Sequence, residues 1–429
     1  MKVHLQALGC RLNEAELETW SRDFRARGHQ LCTDPAAADL LVINTCAVTE
    51  EAVRKSRKLL RRAQRDNPAA KLVVSGCFAS LEPEQAGRDL GVDLLVANQD
   101  KDRLVEIADR ELDLHAMPAA AIEPDAGPLL ARGRQRAFIK VQDGCRYRCS
   151  FCIVTLARGE ERSRPVADVL EEINRLQVEG IREVVLTGVH IGGYGSDLGT
   201  DLRQLIRAVL EHTDMPRVRV GSVEPWDLPE DFWRLFENPR FQPHLHMPLQ
   251  SGSDPVLRRM ARRCRTDEYV ELIAAARDQV ADFNVTTDII VGFPGESEAD
   301  WRQTLDYVEG IGFGHLHIFP YSPRSGTKAA AMADQVAPEV KKARSRELHE
   351  LAGRMKRATL ENYLGRKFPV LVEGRSRTQG REGHWFGYTP NFLQVVIPAR
   401  EGEDLGNRII DVQLHAIAES GDALNGAIL

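Results

Sequence analysis

Short apolar runs rich in β-branched residues recur along most of this chain, separated by charged amphipathic stretches. That alternation restricts the fold to an α/β architecture with a mostly parallel sheet. In the first 110 or so residues the strand-like runs are Val3–Leu8, Asp39–Asn44, Lys71–Ser75 and Val92–Ala97. An Ala- and Pro-rich stretch from about Met117 to Gly133 reads as a linker. Six further runs follow it, at 137–142, 182–187, 217–223, 244–249, 284–291 and 315–320. Six units are too few for a closed eight-stranded barrel and suit an open, partial one. From residue 366 the runs shorten (Pro369–Val372, Leu393–Ile397, Ile409–Leu414) and are separated by Gly, Asn and Asp. This pattern predicts a small antiparallel β-barrel, a fold that commonly binds nucleic acid. The expected division is therefore 1–118, a parallel-sheet α/β domain; 134–365, a partial (β/α)6 barrel; and 366–429, an antiparallel β-barrel.

Eight cysteines lie at positions 10, 32, 46, 77, 145, 149, 152 and 264. No apolar run approaches transmembrane length, and the first ten residues read as a strand rather than a signal peptide. The expectation is a cytosolic protein, in which clustered cysteines bind metal or do redox chemistry more often than they form disulfides. Cys145, Cys149 and Cys152 directly follow the apolar run 137–142, and their spacing gathers three thiolates without a fourth protein ligand. Cys10, Cys46 and Cys77 each fall one to three residues after a strand. Strand ends of an open parallel sheet share one edge, where ligand sites gather, so these three distant cysteines converge. Structural zinc calls for four protein ligands, which neither set supplies. A three-thiolate iron–sulfur cluster keeps one iron open, which suits a reactive centre. Cys32 and Cys264 lack such placement and read as ordinary thiols.

The strand ends of the second region are polar and Gly-rich: the cysteine loop, Thr187-Gly188, Ser222-Val-Glu224, Gln250–Ser253, Gly292–Glu296 and Tyr321–Arg324. Six such tails on one rim make a site, although turns alone favour these residues. The run Gly188–Gly195 lacks the glycine spacing of a dinucleotide fingerprint. His190 within it reads as a polar strand-end residue rather than a catalytic one. Net charge is −6, so positive charge is local. Arg54–Arg65 carries seven basic residues and no acid; Arg132, Arg134, Arg136 and Lys140 precede the cysteine loop; Arg258, Arg259, Arg262, Arg263 and Arg265 form a third group. Arg366, Lys367, Arg375, Arg377 and Arg381 would form a basic face on the terminal barrel. Each run reads as a solvated face or a phosphate contact, and several together favour a polyanionic partner.

Taken end to end, these motifs resemble the methylthiotransferases of the radical S-adenosylmethionine (SAM) class. The matching elements are Gly9-Cys10-Arg-Leu-Asn13, Asn44–Thr49, Gly76–Ala79, Gly144–Cys152, Ala157-Arg158-Gly159 and Arg162-Ser163-Arg164. His244–Ser253, Asp288–Glu296 and Phe319–Ser322 continue the match, and Gly387–Asn391 is similar to the family's terminal RNA-binding TRAM domain. Thr155 departs from the pattern, since relatives often carry proline there; the departure is not expected to disturb ligation. Leu186–Gly195 is similar to the branch acting on N6-threonylcarbamoyladenosine in tRNA. Branches acting on isopentenyladenosine or on a ribosomal protein aspartate differ in that segment. A non-catalytic iron–sulfur RNA-binding protein is the reading from another class.

The resemblance implies two 4Fe-4S clusters, one on Cys145, Cys149 and Cys152 and one on Cys10, Cys46 and Cys77, together with S-adenosyl-L-methionine. It implies that reductive cleavage of SAM gives a carbon radical that removes hydrogen from carbon 2 of the adenine, and that a second SAM methylates the inserted sulfur. Phe151, Thr187, Gly188, Ser222 and Glu224 are the expected SAM contacts; no catalytic residue is assigned beyond the cluster ligands. The implied partners are a tRNA anticodon stem-loop, a low-potential electron donor of flavodoxin or ferredoxin type, and a sulfur donor. No membrane is implied.

Overall fold

The structure, a computed structural model, describes residues 1–88, 90–114, 135–229, 231–375, 383–399 and 402–429. The expected linker 117–133 and the basic residues Arg132, Arg134, Arg377 and Arg381 lie outside the described residues.

Five parallel strands form the N-terminal sheet: β1 (Lys2–Ala7), β2 (Gln30–Leu31), β3 (Leu40–Thr45), β4 (Lys71–Gly76) and β5 (Leu94–Leu95), in the order β2-β1-β3-β4-β5. All six residues of β3 are buried, because helices cover both faces. Leu40 and Val42 pack with Trp20 and Phe24 of α1 (Arg11–Ala26) on one side. Leu41 and Ile43 pack with Val53 and Leu60 of α2 (Glu50–Asp66) on the other. Short helices α3 (Cys77–Leu81) and α4 (Pro83–Arg88) follow β4, and α5 (Leu104–Leu112) closes the domain. The run Val92–Ala97 pairs only at Leu94–Leu95, and the sequence reading does not include β2. Both are edge strands, whose one-sided pairing leaves a weak sequence signal.

The second region is the expected partial barrel. Its strands are β6 (Arg136–Lys140), β9 (Glu183–Thr187), β10 (Arg217–Val220), β11 (His244–His246), β12 (Asn284–Val291) and β13 (His315–Pro320). A small antiparallel pair, β7 (Gln142–Asp143) with β8 (Arg162–Ser163), flanks the cysteine loop. The large strands form two parallel sheets, β10-β9-β6 and β11-β12-β13. Parallel bridges between Val218 and Phe241 and between Ser222 and His246 join the two into one curved wall.

Strand alternation gives this wall two unlike faces. Ala137, Ile139, Val184, Leu186, Val218, Val220, Leu245, Val285, Ile289 and Leu316 point outward into one apolar core. That core is covered by α7 (Val166–Val178), α8 (Leu202–His212), α10 (Thr266–Gln279), α11 (Glu298–Ile311) and α12 (Pro338–Glu361), while α6 (Val154–Arg158) and α9 (Asp254–Arg259) lie at the rim. The residues between them point inward and are largely polar.

β14 (Lys367–Arg375), β15 (His384–Tyr388), β16 (Gln394–Pro398), β17 (Ile409–Ile417) and β18 (Leu424–Ile428) close into a barrel ordered β14-β15-β16-β18-β17. One pairing, β16 with β18, is parallel, so the barrel is not wholly antiparallel as the sequence suggested. The 389–392 turn of this barrel plugs the N-terminal end of the curved wall. Arg219 donates to the Thr389 carbonyl at 3.1 Å, Asn284 to the Asn391 carbonyl at 2.8 Å, and His244 stacks on Phe392. Arg366 corrects the expected basic face: it is pinned by both oxygens of Asp282 and serves the interface instead.

Candidate active site

Two sets of three thiols form at the C-terminal ends of the strands. Cys10 precedes the first turn of α1, Cys46 follows β3 directly, and Cys77 opens α3 at the end of β4. Because β1, β3 and β4 are neighbours, the three thiols lie near enough to act on one another. Glycines make the approach possible. Gly9 sits at φ +106°, and a Cβ there would lie 2.7 Å from the Cys46 sulfur. Gly76 sits at φ +98° against the Thr45 backbone. Burial pushes the Cys46 thiol up to about 11, with Cys77 and Cys10 adding to the rise.

The second set hangs on the loop after β7. Gly144 turns with φ +74°, because a Cβ would strike the Glu160 carbonyl. The Cys145 amide donates to Gly159 O at 3.1 Å, and the Cys152 amide to Cys149 O at 3.1 Å. Ser150 ties the loop to α9 through Met260 O and Arg259 O. Thr155, the residue that departs from the family pattern, donates to Tyr147 O at 3.1 Å and so braces the loop. Burial pushes Cys145 up to about 12 and Cys152 up to about 11. A cation bound here would have to displace these protons, since a coordinated thiol is deprotonated. Among the described residues no disulfide forms, and neither set has a fourth cysteine. Three soft thiolates with one position left open fit an iron–sulfur cluster better than structural zinc.

The expected SAM contacts line the rim beside Cys145. Thr187 is buried at the end of β9. Gly188 leaves room for Gln142, since a Cβ would come within 2.8 Å of its Oε1. Ser222 follows β10 in its bridge to His246. Glu224 is the more telling of the pair. Burial raises its pKa although His190 and Arg262 oppose the shift, and its Oε2 has no hydrogen-bond partner among the described residues. A half-buried carboxylate beside the thiol loop is suited to an ammonium group. Phe151 is only partly free: it packs edge-on to Phe293, ring centres 6.4 Å apart, against a small apolar cluster.

Sequence reasoning missed the residues that hold these parts together. Gln142 Oε1 accepts the amides of Val189 and His190 at 2.9 Å each, while its Nε2 donates to Asp143 O and Gly144 O. His190 is fully buried between Glu161, on Nδ1, and Asp227, at 2.6 Å from Nε2. Burial opposes protonation, but the carboxylates prevail and its pKa is raised. Both nitrogens are thus engaged. Although Cys145, Glu161 and His190 approach one another closely enough to hold a cation, the imidazole acts as a clamp.

Arg158, at the end of α6, is almost fully buried. It donates to Asn13 Oδ1 at 2.8 Å, Glu16 Oε1 at 3.0 Å and Asp143 Oδ1 at 3.0 Å. Lys101, wholly buried, meets the same two acids at 2.5 and 3.1 Å. Asn98 donates to Ala157 O at 2.7 Å and lies 3.9 Å from the Cys77 sulfur. The two thiol sets therefore flank one five-residue helix, roughly 8 Å long.

The basic runs divide. Arg54, Lys58 and Arg61 are exposed along one face of α2, and none forms an ion pair within 4 Å among the described residues, although Arg54 lies near Glu51. Arg136 and Lys140 turn inward, to Glu183 and Asp102, and Arg262 lies over Trp226, so these are not phosphate contacts. Cys32 and Cys264 remain apart from both sets; Cys264 is buried in the main core.

Comparison with known proteins adds to this geometry. The radical SAM superfamily pattern matches residues 139–308, and the pattern described as uncharacterized protein family UPF0004 matches residues 2–97. The threonylcarbamoyladenosine tRNA methylthiotransferase MtaB of Thermotoga maritima is 35% identical over 379 residues, covering 86% of each chain. MtaB of Bacillus subtilis is 33% identical over 423 residues, 96% of this chain and 93% of the relative. The tRNA-2-methylthio-N(6)-dimethylallyladenosine synthase of Methylacidiphilum infernorum is 33% identical over 443 residues, covering 96% of this chain and 93% of that one. Among solved structures, the radical S-adenosylmethionine methyltransferase TsrM of Kitasatospora setae shares the fold, with a TM-score of 0.59 at 15% identity over 77% of this chain and 75% of that one.

Proposed function

This chain belongs to the radical SAM tRNA methylthiotransferases, and from that premise we propose that it inserts a methylthio group at carbon 2 of N6-threonylcarbamoyladenosine, next to the anticodon of tRNA. The observation that carries the reading is the pair of three-thiol sets on either side of α6, each lacking a fourth ligand. In this reading Cys145, Cys149 and Cys152 hold one 4Fe-4S cluster, and Cys10, Cys46 and Cys77 hold a second. Loaded with its clusters and SAM, such a site supplies a carbon radical and a transferable sulfur, chemistry that no side chain provides.

The chain's own residues then bind and orient. Glu224 receives the ammonium end of SAM; Ser222, Thr187 and Gly188 line its approach, and Phe151 walls one side. Gln142 and His190 hold the thiol loop against the rim, where they would brace the ligands of a bound cluster. Arg158 fixes the N-terminal sheet against the loop and helps to set the separation of the two thiol sets. The substrate base leaves its stack to enter, as enzymes acting on bases require.

The division at 1–118, 134–365 and 366–429 belongs to the same reading, with the terminal barrel serving as a TRAM-like RNA-binding unit. So do a flavodoxin- or ferredoxin-type electron donor, a sulfur donor and a cytoplasmic location. No described helix is long and apolar enough to cross a membrane. Mass spectrometry of tRNA nucleosides from a deletion strain tests the function. Loss of the 2-methylthio form with accumulation of N6-threonylcarbamoyladenosine is expected; loss of the methylthiolated isopentenyl nucleoside instead would overturn the assignment.

A further inference from the structure

The inner face of the curved wall is not filled by apolar side chains, as a packed barrel interior would be. Its floor is a closed ionic layer in which Glu183 is buried among Arg136, Arg217 and Arg219, at 3.1, 3.7 and 3.0 Å. The 389–392 turn seals that layer from below. Above it the wall opens. His315, His317 and Phe319 of β13 are exposed although they point inward, so solvent reaches the hollow.

Histidines dominate this open layer. His246 is fixed by two bonds, Nδ1 to Thr286 Oγ1 at 3.0 Å and Nε2 to Asp288 Oδ1 at 3.1 Å. His317 stands edge-on to His246, ring centres 5.3 Å apart, and His315 edge-on to His317 at 4.8 Å. Neither His315 nor His317 has a hydrogen-bond partner among the described residues; each meets other rings. Burial, then the neighbouring positive groups, lower both pKa values, against Asp288 at His317; a neutral imidazole offers one donor and one acceptor. Across the opening lies Arg11, the first residue of α1, with its guanidinium 4.9 Å from the centre of the Phe138 ring. Its charge is felt at His317, and Glu14 flanks its other side at 3.2 Å.

This lining discriminates between kinds of substituent. An isopentenyl group placed here would strip water from two imidazoles and a guanidinium and return no hydrogen bond, which is costly. A threonylcarbamoyl group brings a carboxylate and a hydroxyl that can engage His317 and Arg11. We propose that His317, with His246 behind it and Arg11 across the opening, receives the carboxylate-bearing substituent on N6 of the substrate adenosine and thereby sets substrate choice. The inference rests on the tRNA methylthiotransferase reading and names the residues that would select its substrate. His246 is a positioning residue, held by Asp288 and Thr286; His317 and Arg11 touch the ligand.

The test uses the full chain with reconstituted clusters and three anticodon stem-loop RNAs, carrying N6-threonylcarbamoyladenosine, N6-isopentenyladenosine or plain adenosine. Affinity is read by fluorescence anisotropy, beside methylthiolation. His317→Phe and Arg11→Gln should each weaken binding of the threonylcarbamoyl loop roughly tenfold to a hundredfold, the range for a charged hydrogen bond. Binding of the plain-adenosine loop and iron content should stay at wild-type values, which excludes misfolding, and His317→Gln should recover most of the loss. Equal weakening for all three loops would mean a phosphate contact and overturn the proposal, as would full retention of the preference. If the wild type modifies the threonylcarbamoyl loop but the variants still prefer it, the pocket assignment alone fails. If the wild type modifies only the isopentenyl loop, the substrate reading and this inference fail together.

Discussion

Arg158 donates to Oδ1 of Asn13 at 2.8 Å, joining the helix that follows one thiol loop to the helix that begins at the other. Asn13 in turn donates to Leu8 O at 2.6 Å and to Thr45 O at 3.2 Å, and so braces the strand ends that carry Cys10 and Cys46. The guanidinium thus joins Lys101 and Asn98 in setting the separation of the two thiol sets.

Replacing Arg158 by Met should leave Glu16 and Asp143 with less compensation in a buried setting. Removing one partner of such a network costs about 3–5 kcal/mol, to be measured by denaturant unfolding of the cluster-free chain. The paired change Arg158→Met with Glu16→Gln should recover part of that loss. In the reconstituted enzyme, SAM cleavage should outlast methylthiolation, because the gap between the sets is no longer fixed.

Acid should destabilise the fold through the same network. Burial alone would raise Glu16, but Arg158, Lys101 and Lys140 hold it down to about 2, against about 4.3 for a free Glu. A carboxylate with a lowered folded pKa stabilises fully above its unfolded value, and that contribution fades as pH falls from about 4.3 through 2. Unfolding midpoints should therefore drop steeply over that window, and more shallowly in Glu16→Gln. An equal slope in both would exclude Glu16 as the source.

Cys149→Ala should halve the iron content of anaerobically reconstituted protein, from about eight atoms to about four. Methylthiolated product should vanish with it. Cys46→Ala should also halve the iron but leave SAM cleavage by dithionite-reduced enzyme. Loss of all iron in either variant would mean that the two sets do not load independently.

The exposed face of α2 should track the RNA backbone. Replacing Arg54, Lys58 and Arg61 together by Ala should weaken tRNA binding and flatten its salt dependence. If all three face phosphates, the slope of log affinity against log salt should fall by about two. An unchanged slope would assign this face to solvent.

Much of the fold could be read from periodicity alone. The strands that carry the sites are long, central and β-branched, so runs such as 284–291 and Leu40–Thr45 declare themselves. The two-residue β2 and β5 do not, because an edge strand pairs on one side and needs little apolar surface. Cys10, Cys46 and Cys77 were legible as one group because each follows a strand, and parallel strands bring their ends to one edge; Cys145, Cys149 and Cys152 were legible from their spacing alone. His190 was not. A buried histidine looks the same in sequence as an exposed one, and its partners Glu161 and Asp227 lie 29 and 37 residues away.

What the sequence determined by itself is the order of strands and helices and the placement of thiols at strand ends, since both follow from local pattern. The tertiary structure decided which charges face inward. Arg158, Lys101, Glu16 and Asp143 come from four separate segments, and each alone would be an ordinary surface residue. Only packing α1 and α6 together takes them out of water, and there an unpaired charge is too costly to keep. The hollow lined by His246 and His317 arises in the same way: alternation turns these residues inward, but the open wall and its plugged floor make the hollow a pocket.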